Sequence, residues 1–340
     1  MKKKNILFFV FSLLVILFGS CSTDVDLYAD YKDITIVYGL LDPSQDTNYI
    51  KINRAFLGYG DATEVALIPD SCNYPEKLDV KLIEYRAPVS GNDYVKNDEY
   101  ILDTITIHNK DLGLFYAPDQ LLYYTKGRIH PQTDRYKYRY ELLIDRGDTI
   151  ITSTTDVVGG NQFSIVPNIM NFSSFISTGQ LKFLGCPNSY IYDAIIRFYY
   201  SEIGPSLDTI NHCVNWPLGT FPESNLQLDH GVYNISYLAS LFFLNIAEEI
   251  GADSLLNNVQ RVFFEPSVEI EVTAGGYELY NYIMVNGSNN SIVQNIPDYT
   301  NINGGYGVLS SRTKISKRVR MSAQTVLDLY KHSWNFRQGE

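Results

Sequence analysis

The chain has 340 residues, with 27 basic and 38 acidic side chains and a net charge of −11. That balance excludes nucleic acid as a partner, because a phosphate backbone rewards clustered Lys and Arg, and it excludes a general affinity for anionic lipid headgroups. Tyrosine, at 27 residues, is the loudest compositional signal, and its ring suits pleated, half-buried strands.

Lys2, Lys3 and Lys4 precede an apolar run from Ile6 to Phe18 broken only by Ser12, and Gly19, Ser20 and Cys21 follow. This is the order of a secretory signal, residues 1–20. The run is well short of the about twenty apolar residues that an uncleaved membrane helix needs. The Phe-Gly-Ser-Cys stretch resembles a bacterial lipobox, with Phe18 where leucine is commonest. The resemblance implies cleavage before Cys21, diacylglycerol on its sulfur and a fatty acyl group such as palmitate on the new amino terminus. The other reading is a plain secreted chain in which Cys21 is an ordinary thiol. Two or more acyl chains anchor a protein stably, so the expectation is an outer-membrane lipoprotein whose body is soluble, on the surface or facing the periplasm. Loss of the three lysines with the leader takes the net charge to −14.

Residues 21–33 read as a flexible tether with Asp24, Asp26, Asp30 and Asp33. Acids close behind the cysteine resemble in part the surface-export signal of Bacteroidota lipoproteins. A calcium loop starting at Asp24 is excluded, since Ala29 and Thr35 stand where glycine and glutamate are needed. Ile34 to Leu41 and Asn48 to Phe56 are strands paired across the Asp42–Asp46 turn. Gly58 to Tyr74 is a loop with one helical turn over 62–67. Leu78–Tyr85, Glu99–Ile107 and Leu121–Thr125 are further strands, with a second loop over 87–97. The clearest strand puts Tyr136, Tyr138, Tyr140, Leu142 and Ile144 on one face, a period of two that marks half-burial. Asp145-Arg146-Gly147-Asp148 turns it back into Thr149–Thr155. The Arg-Gly-Asp triplet there needs no integrin-type reading, because a hairpin calls for such residues. Residues 34–158 thus predict a β-sandwich of immunoglobulin or transthyretin type, ending at Val158-Gly159-Gly160-Asn161.

The second half, 159–340, predicts a mainly β domain with a few short helices. Phe163–Val166, Gln180–Leu184 and Tyr190–Ile203 are strands, and in the last Tyr192, Ala194, Ile196 and Phe198 share a face. Gly204 to Leu228, with Pro205, Pro217 and Pro222, reads as a loop. Ser236 is placed to cap a helix over 236–249 that ends at Gly251. It is apolar around much of its girth, as a helix packed on a sheet would be, and too short to span a membrane. Val262–Thr273 is a strand broken near Pro266, and further helices are predicted over 277–285 and 322–332, the latter capped by Ser322. Before that last helix, Arg312, Lys314, Ser316, Arg318 and Arg320 occupy one face of an extended segment. This predicts a solvated edge strand guarded against aggregation, with an anion or partner contact at Arg312, Lys314, Arg318 and Arg320 as the sharper alternative.

Three cysteines follow Cys21. An exported protein permits disulfides, and Cys186 with Cys213 is the expected pair. The five histidines are scattered without zinc-ligand spacing. There is no Gly-x-Ser-x-Gly elbow, and Gly304-Gly305-Tyr306-Gly307 lacks the Lys-Ser/Thr ending of a phosphate loop. No pair among the 38 acids stands out as a glycosidase couple.

Two stretches resemble a Bacteroidota outer-membrane lipoprotein family known as a domain of unknown function, or a sister group of it. One is the Tyr-rich strand and Gly hairpin of Tyr136–Thr155 with Pro167 behind it. The other is Tyr299-Thr300-Asn301-Ile302-Asn303-Gly304-Gly305-Tyr306-Gly307-Val308. The resemblance implies a TonB-dependent outer-membrane transporter as a partner. The expected function is that of a non-enzymatic binding or accessory protein without cofactor or metal, its ligand a glycan or peptide. The alternative is a surface hydrolase acting on polysaccharide or peptide.

Overall fold

The computed structural model describes residues 33–55, 62–113, 116–117, 119–204, 208–251, 259–287 and 299–339. The signal segment, Cys21 and the tether up to residue 32 lie outside the described residues. The protein is mainly β, with 52% strand and 14% helix among the described residues, and several sheets.

Strands β1 (Ile34–Leu41) and β2 (Tyr49–Ala55) pair antiparallel across the predicted turn, which Gln45 N–H closes on Asp42 O at 3.1 Å. Two one-turn helices follow, α1 (Ala62–Val65) and α2 (Pro69–Cys72), then β3 (Asp79–Pro88). The single strand predicted over 99–107 is two, β4 (Val95–Ile101) and β5 (Asp103–Ile107), which lie in different sheets. The chain turns the corner at Leu102, which is buried and donates its N–H to Val80 O. β6 (Gln120–Tyr124), β7 (Tyr136–Asp145) and β8 (Ile150–Asp156) complete the first half. One sheet orders β1-β2-β6-β5 and the other β4-β3-β7-β8. Their inner faces meet in one core, to which β7 contributes Tyr138, Tyr140, Leu142 and Ile144, four of the five residues read from its alternation. Arg146 is only 12% exposed and pairs with Asp33 at 3.0 Å. The hairpin therefore uses its arginine internally, to fasten the start of β1.

The second half runs β9 (Ser164–Ile165), β10 (Ile169–Met170), β11 (Thr178–Leu184), β12 (Ile191–Ile203), β13 (Thr209–Pro222), β14 (Gln227–Asp229) and β15 (Val232–Leu238). Then come α3 (Ser240–Ile250), β16 (Gln260–Phe263), β17 (Val268–Gly275), α4 (Tyr277–Asn286), β18 (Gly305–Met321), α5 (Ala323–Lys331) and β19 (Phe336–Gln338). Much of the loop expected over 204–228 is instead β13, paired along its whole length with β12. Its prolines are tolerated because β13 pairs with no strand but β12, and the register shifts at Ala194/Ile195 opposite Pro217. Ser236 lies inside β15 and caps nothing. α3 starts at Ser240, buries Phe242, Ile246 and Ile250, and ends at Gly251, whose φ is +67°. Ser322 does cap α5, its hydroxyl accepting from Thr325 N–H.

β18 joins the halves. Gly305 to Ser311 run parallel to β1, and Arg312 to Val319 run antiparallel to β17. Pairing with β1 is confined to Gly305–Ser311; over Arg312 to Val319, where the cations alternate, β17 is the only ladder partner among the described residues, as expected of an edge. The chain does not divide cleanly at Val158, since Ile302 and Leu309 are buried in the first core. The glycine-rich stretch makes this possible. Gly307 has φ +109°, and a Cβ there would sit 2.0 Å from Val37 O. Asn301 ties the same stretch down, bonding Leu309 through both its carboxamide oxygen (3.0 Å) and nitrogen (2.7 Å).

Candidate binding cleft

At Ser311 the long strand leaves β1, and at Arg312 it takes up β17. A cleft of about 730 Å³ opens at this handover, within the usual size of ligand sites. Its floor includes Leu40 and Val308, and its walls are the β1–β2 turn, α4 and the outward faces of β17 and β18.

The turn is rigid because its polar groups satisfy one another. Asp42 Oδ1 accepts from Ser44 N–H at 2.9 Å and Ser44 Oγ at 2.6 Å, and Asn48 Oδ1 accepts from Asp42 N–H at 2.6 Å. Arg312 Nε stands 3.9 Å from Asp42 Oδ2; the arginine is 50% exposed and the aspartate 6%. Lys314, also 50% exposed, stands 3.4 Å from Glu271, which is 15% exposed and is held from the other side by Arg197 at 3.3 Å. Burial works to raise the Glu271 carboxyl, but the Arg197 and Lys314 cations outweigh it and hold it below its usual value. In both pairs the carboxylate lies inside and the cation outside.

Tyr38, Tyr49 and Tyr282 line the cleft, and Tyr124 extends the row beyond it. Tyr282 on α4 meets Tyr38 on β1 edge-on at 6.2 Å. Tyr49 on β2 pairs in register with Tyr124 on β6, their rings 6.3 Å apart. Tyr38 and Tyr49 are 44% and 43% exposed. Alternation in β1 and β2 already puts Tyr38 and Tyr49 on an outer face, whereas the approach of Tyr282 has no sequence signal. The other two predicted cations lie elsewhere. Arg318 stacks over the Tyr199 ring at 3.9 Å and faces Glu269 across the ladder. Arg320 lines a separate groove with Phe264 and Glu265.

A smaller cavity of about 190 Å³ lies at the other flank of α4, lined by Asp156, Asn188, Tyr190, Tyr277 and Glu278. Arg139 grips both oxygens of Asp156 at 2.8 and 3.0 Å. The Glu278 carboxyl accepts from Thr155 Oγ1 at 3.0 Å, and burial raises it above the usual carboxylate range. Nothing in the local sequence singles out this pair, because its members are 122 residues apart.

Cys72, Cys186 and Cys213 are all free thiols, so the expected Cys186–Cys213 bridge is absent. Cys213 lies opposite Tyr199 on β12. Cys186 sits in the turn that Ser189 fastens to Tyr192. Seven residues of strand, roughly 20 Å, separate the two sites, and a disulfide needs Cα atoms within about 7 Å. Among the described residues no cluster of His, Cys, Asp and Glu is placed to hold a metal, and no helix is long and apolar enough to cross a membrane. His130 is spoken for: its Nδ1 lies 2.7 Å from the fully buried Glu84, which also accepts from Tyr140 and Asn97.

No protein-family model matches the chain, and no curated protein is similar to it in sequence. Among solved structures, the C-terminal globular domain of an oligosaccharyltransferase from Pyrococcus abyssi is similar over 71% of this chain and 47% of its own, at 10% identity and a TM-score of 0.18. A correspondence that loose carries no argument.

Proposed function

We propose that this protein is a lipoprotein anchored through Cys21 to the outer membrane, where it binds a glycan or peptide as a non-enzymatic accessory, with a TonB-dependent transporter as partner. The anchor and partner rest on the lipobox-like stretch and on the family resemblance. The observation that carries the binding reading is the cleft itself: an open groove of about 730 Å³ built from half-exposed tyrosines and outward cations. Tyrosine suits binding surfaces because it offers apolar area and one polar handle. Mass spectrometry of the membrane-extracted protein is expected to find acyl groups on Cys21, and affinity purification of the solubilised lipoprotein is expected to bring down a β-barrel transporter. An unmodified Cys21 would overturn the anchor, and a transporter-free preparation would overturn the partner.

A specific observation favours a second reading, a surface hydrolase. Asp156 gripped by arginine and a buried Glu278 share one small cavity, and two carboxyls in unlike environments can divide acid and base roles. Turnover on a glycan panel, abolished by Asp156→Asn or Glu278→Gln, would establish that reading and displace the first.

A further inference from the structure

We propose that the ligand of the junction cleft is an acidic oligosaccharide, a chain of pyranose rings bearing carboxylates, laid along the tyrosine row with its acid groups on Arg312 and Lys314. This rests on the binding reading above and adds the chemical class of the ligand.

The row supplies the stacking surface. Tyr282 and Tyr38 are 6.2 Å apart, Tyr49 and Tyr124 are 6.3 Å apart, and Tyr38 and Tyr49 are diagonal neighbours on one face of the β1–β2 pair. Diagonal neighbours lie about 7–8 Å apart, so the row extends for roughly 20 Å, long enough for several sugar rings end to end. The Tyr282 hydroxyl donates to the Tyr38 hydroxyl at 3.4 Å, and a tyrosine ring offers an apolar face with one polar handle, which matches a pyranose with its C–H face and equatorial hydroxyls.

The charge selects among sugars. The chain as a whole is acidic, yet along this face the positive ends point outward. Arg312 and Lys314 are each half exposed above carboxylates that are almost covered. Lys126, over the Tyr124 ring at 6.0 Å, closes the far end of the row. Lys51, directly across from Tyr38 in register, donates to the neutral amide of Gln120 at 3.2 Å. Burial first, and then the neighbouring Lys110, lower its ammonium, with Cys72 acting the other way. Arg312, Lys314 and Lys126 each face one carboxylate, of Asp42, Glu271 and Asp103, and all three cations are half exposed or more, so each can receive a second carboxylate that a neutral glycan does not offer.

A peptide fits less well. Peptides that add to sheets use an open edge, but β1 is paired on both sides, by β2 and by β18. The ledge is a sheet face, with no alternating side-chain pockets.

The test uses the full-length lipoprotein in detergent and calorimetric titration with tetragalacturonic acid, its carboxyl-reduced neutral counterpart and a polyglutamate peptide. The acidic sugar is expected to bind at least tenfold more tightly than the neutral one, with the preference shrinking as salt rises. Arg312→Gln with Lys314→Gln is expected to erase the preference while leaving residual binding. Tyr38→Ala is expected to weaken both sugars together. These side chains are half exposed, and unchanged thermal melts verify that the variants fold. Equal binding of the two sugars, still sensitive to Tyr38→Ala, would overturn the acidic class while sparing the binding reading. Tighter binding of polyglutamate, or failure of every sugar to bind, would overturn the proposal outright.

Discussion

Leu309→Ala tests whether the shared strand makes one folding unit of two cores. Leu309 lies in the sequence of the second half but is fully buried in the first core, facing Gly39 across the parallel ladder. Core Leu→Ala changes cost about 2–5 kcal/mol, more where neighbours cannot close the cavity. The residue across the ladder is a glycine, whose missing Cβ would stand 2.9 Å from Leu309 Cδ1, so that position has no side chain with which to refill the space. The expected cost is therefore toward the upper end, about 4 kcal/mol. Both tryptophans, Trp216 and Trp334, are buried in the other core, so tryptophan fluorescence watches a region that Leu309 does not touch. With a guanidinium slope of roughly 6 kcal/mol/M for a chain of this size, the midpoint falls by about 0.7 M. If β18 couples the cores, the tryptophan curve shifts by that full amount and coincides with the near-ultraviolet tyrosine signal. A tryptophan transition left in place, with only the tyrosine signal moved, would refute the coupling.

Iodoacetamide mapping under non-reducing conditions is expected to find Cys186 and Cys213 unbridged. Cys186 should react only on unfolding, since burial pushes its thiol up to about 12; a recovered 186–213 disulfide peptide would contradict the register of β12 and β13. Asp328 is buried, and Lys331 and the Ser174 backbone N–H hold its carboxyl below the ordinary value of 3.8. A depressed folded-state value stabilises above the unfolded value and is lost as pH falls toward the folded one. Asp328→Asn should therefore lower the melting temperature at pH 7 and lose that deficit toward pH 2; an equal deficit at both pH values would refute the assignment. Gly307→Ala should prevent soluble folding, because the new Cβ meets Val37 O at 2.0 Å in a left-handed backbone; a soluble variant melting as the parent does would count against the β1–β18 register.

The strands that bury one face were legible because alternation alone assigns them. β7, β12 and β17 bury the residues that their patterns predict. What was not legible depends on partners remote in sequence. Prolines made 204–228 look like loop, and only the long neighbour β12 shows that β13 is an edge able to carry Pro217 and Pro222. The alternating cations of β18 read as an edge and over Arg312 to Val319 pair only with β17, whereas nothing local reveals that β1, 270 residues earlier, lies beside the glycine-rich half of the same strand. The same gap hid half of the cleft. Arg312 and Lys314 stood out as a pattern and alternation puts Glu271 on the outer face of β17, while Asp42 and Tyr282 have no periodicity that points to them. The disulfide was inferred from compartment and count, and geometry forbids it.

The cleft and the glycine-rich stretch are one structural problem. In a strand a slip of one residue exchanges the two faces, so a slip of β18 would turn Arg312 and Lys314 toward the core and Thr313 outward. Three contacts oppose that slip. Gly307 lies so close to Val37 that no other residue fits there. Asn301 clasps Leu309. Ser311 donates its hydroxyl to Leu41 O at 2.9 Å while accepting from Val158 N–H at 3.0 Å. The last of these sits at the handover, one residue before Arg312. Ser311 is held beside Leu41, so Arg312 falls beside Asp42, and alternation then carries Lys314 to Glu271. The residues that lock the register thus place the cations without touching a ligand, and the glycines and Asn301 act as positioning elements for a site built from other residues.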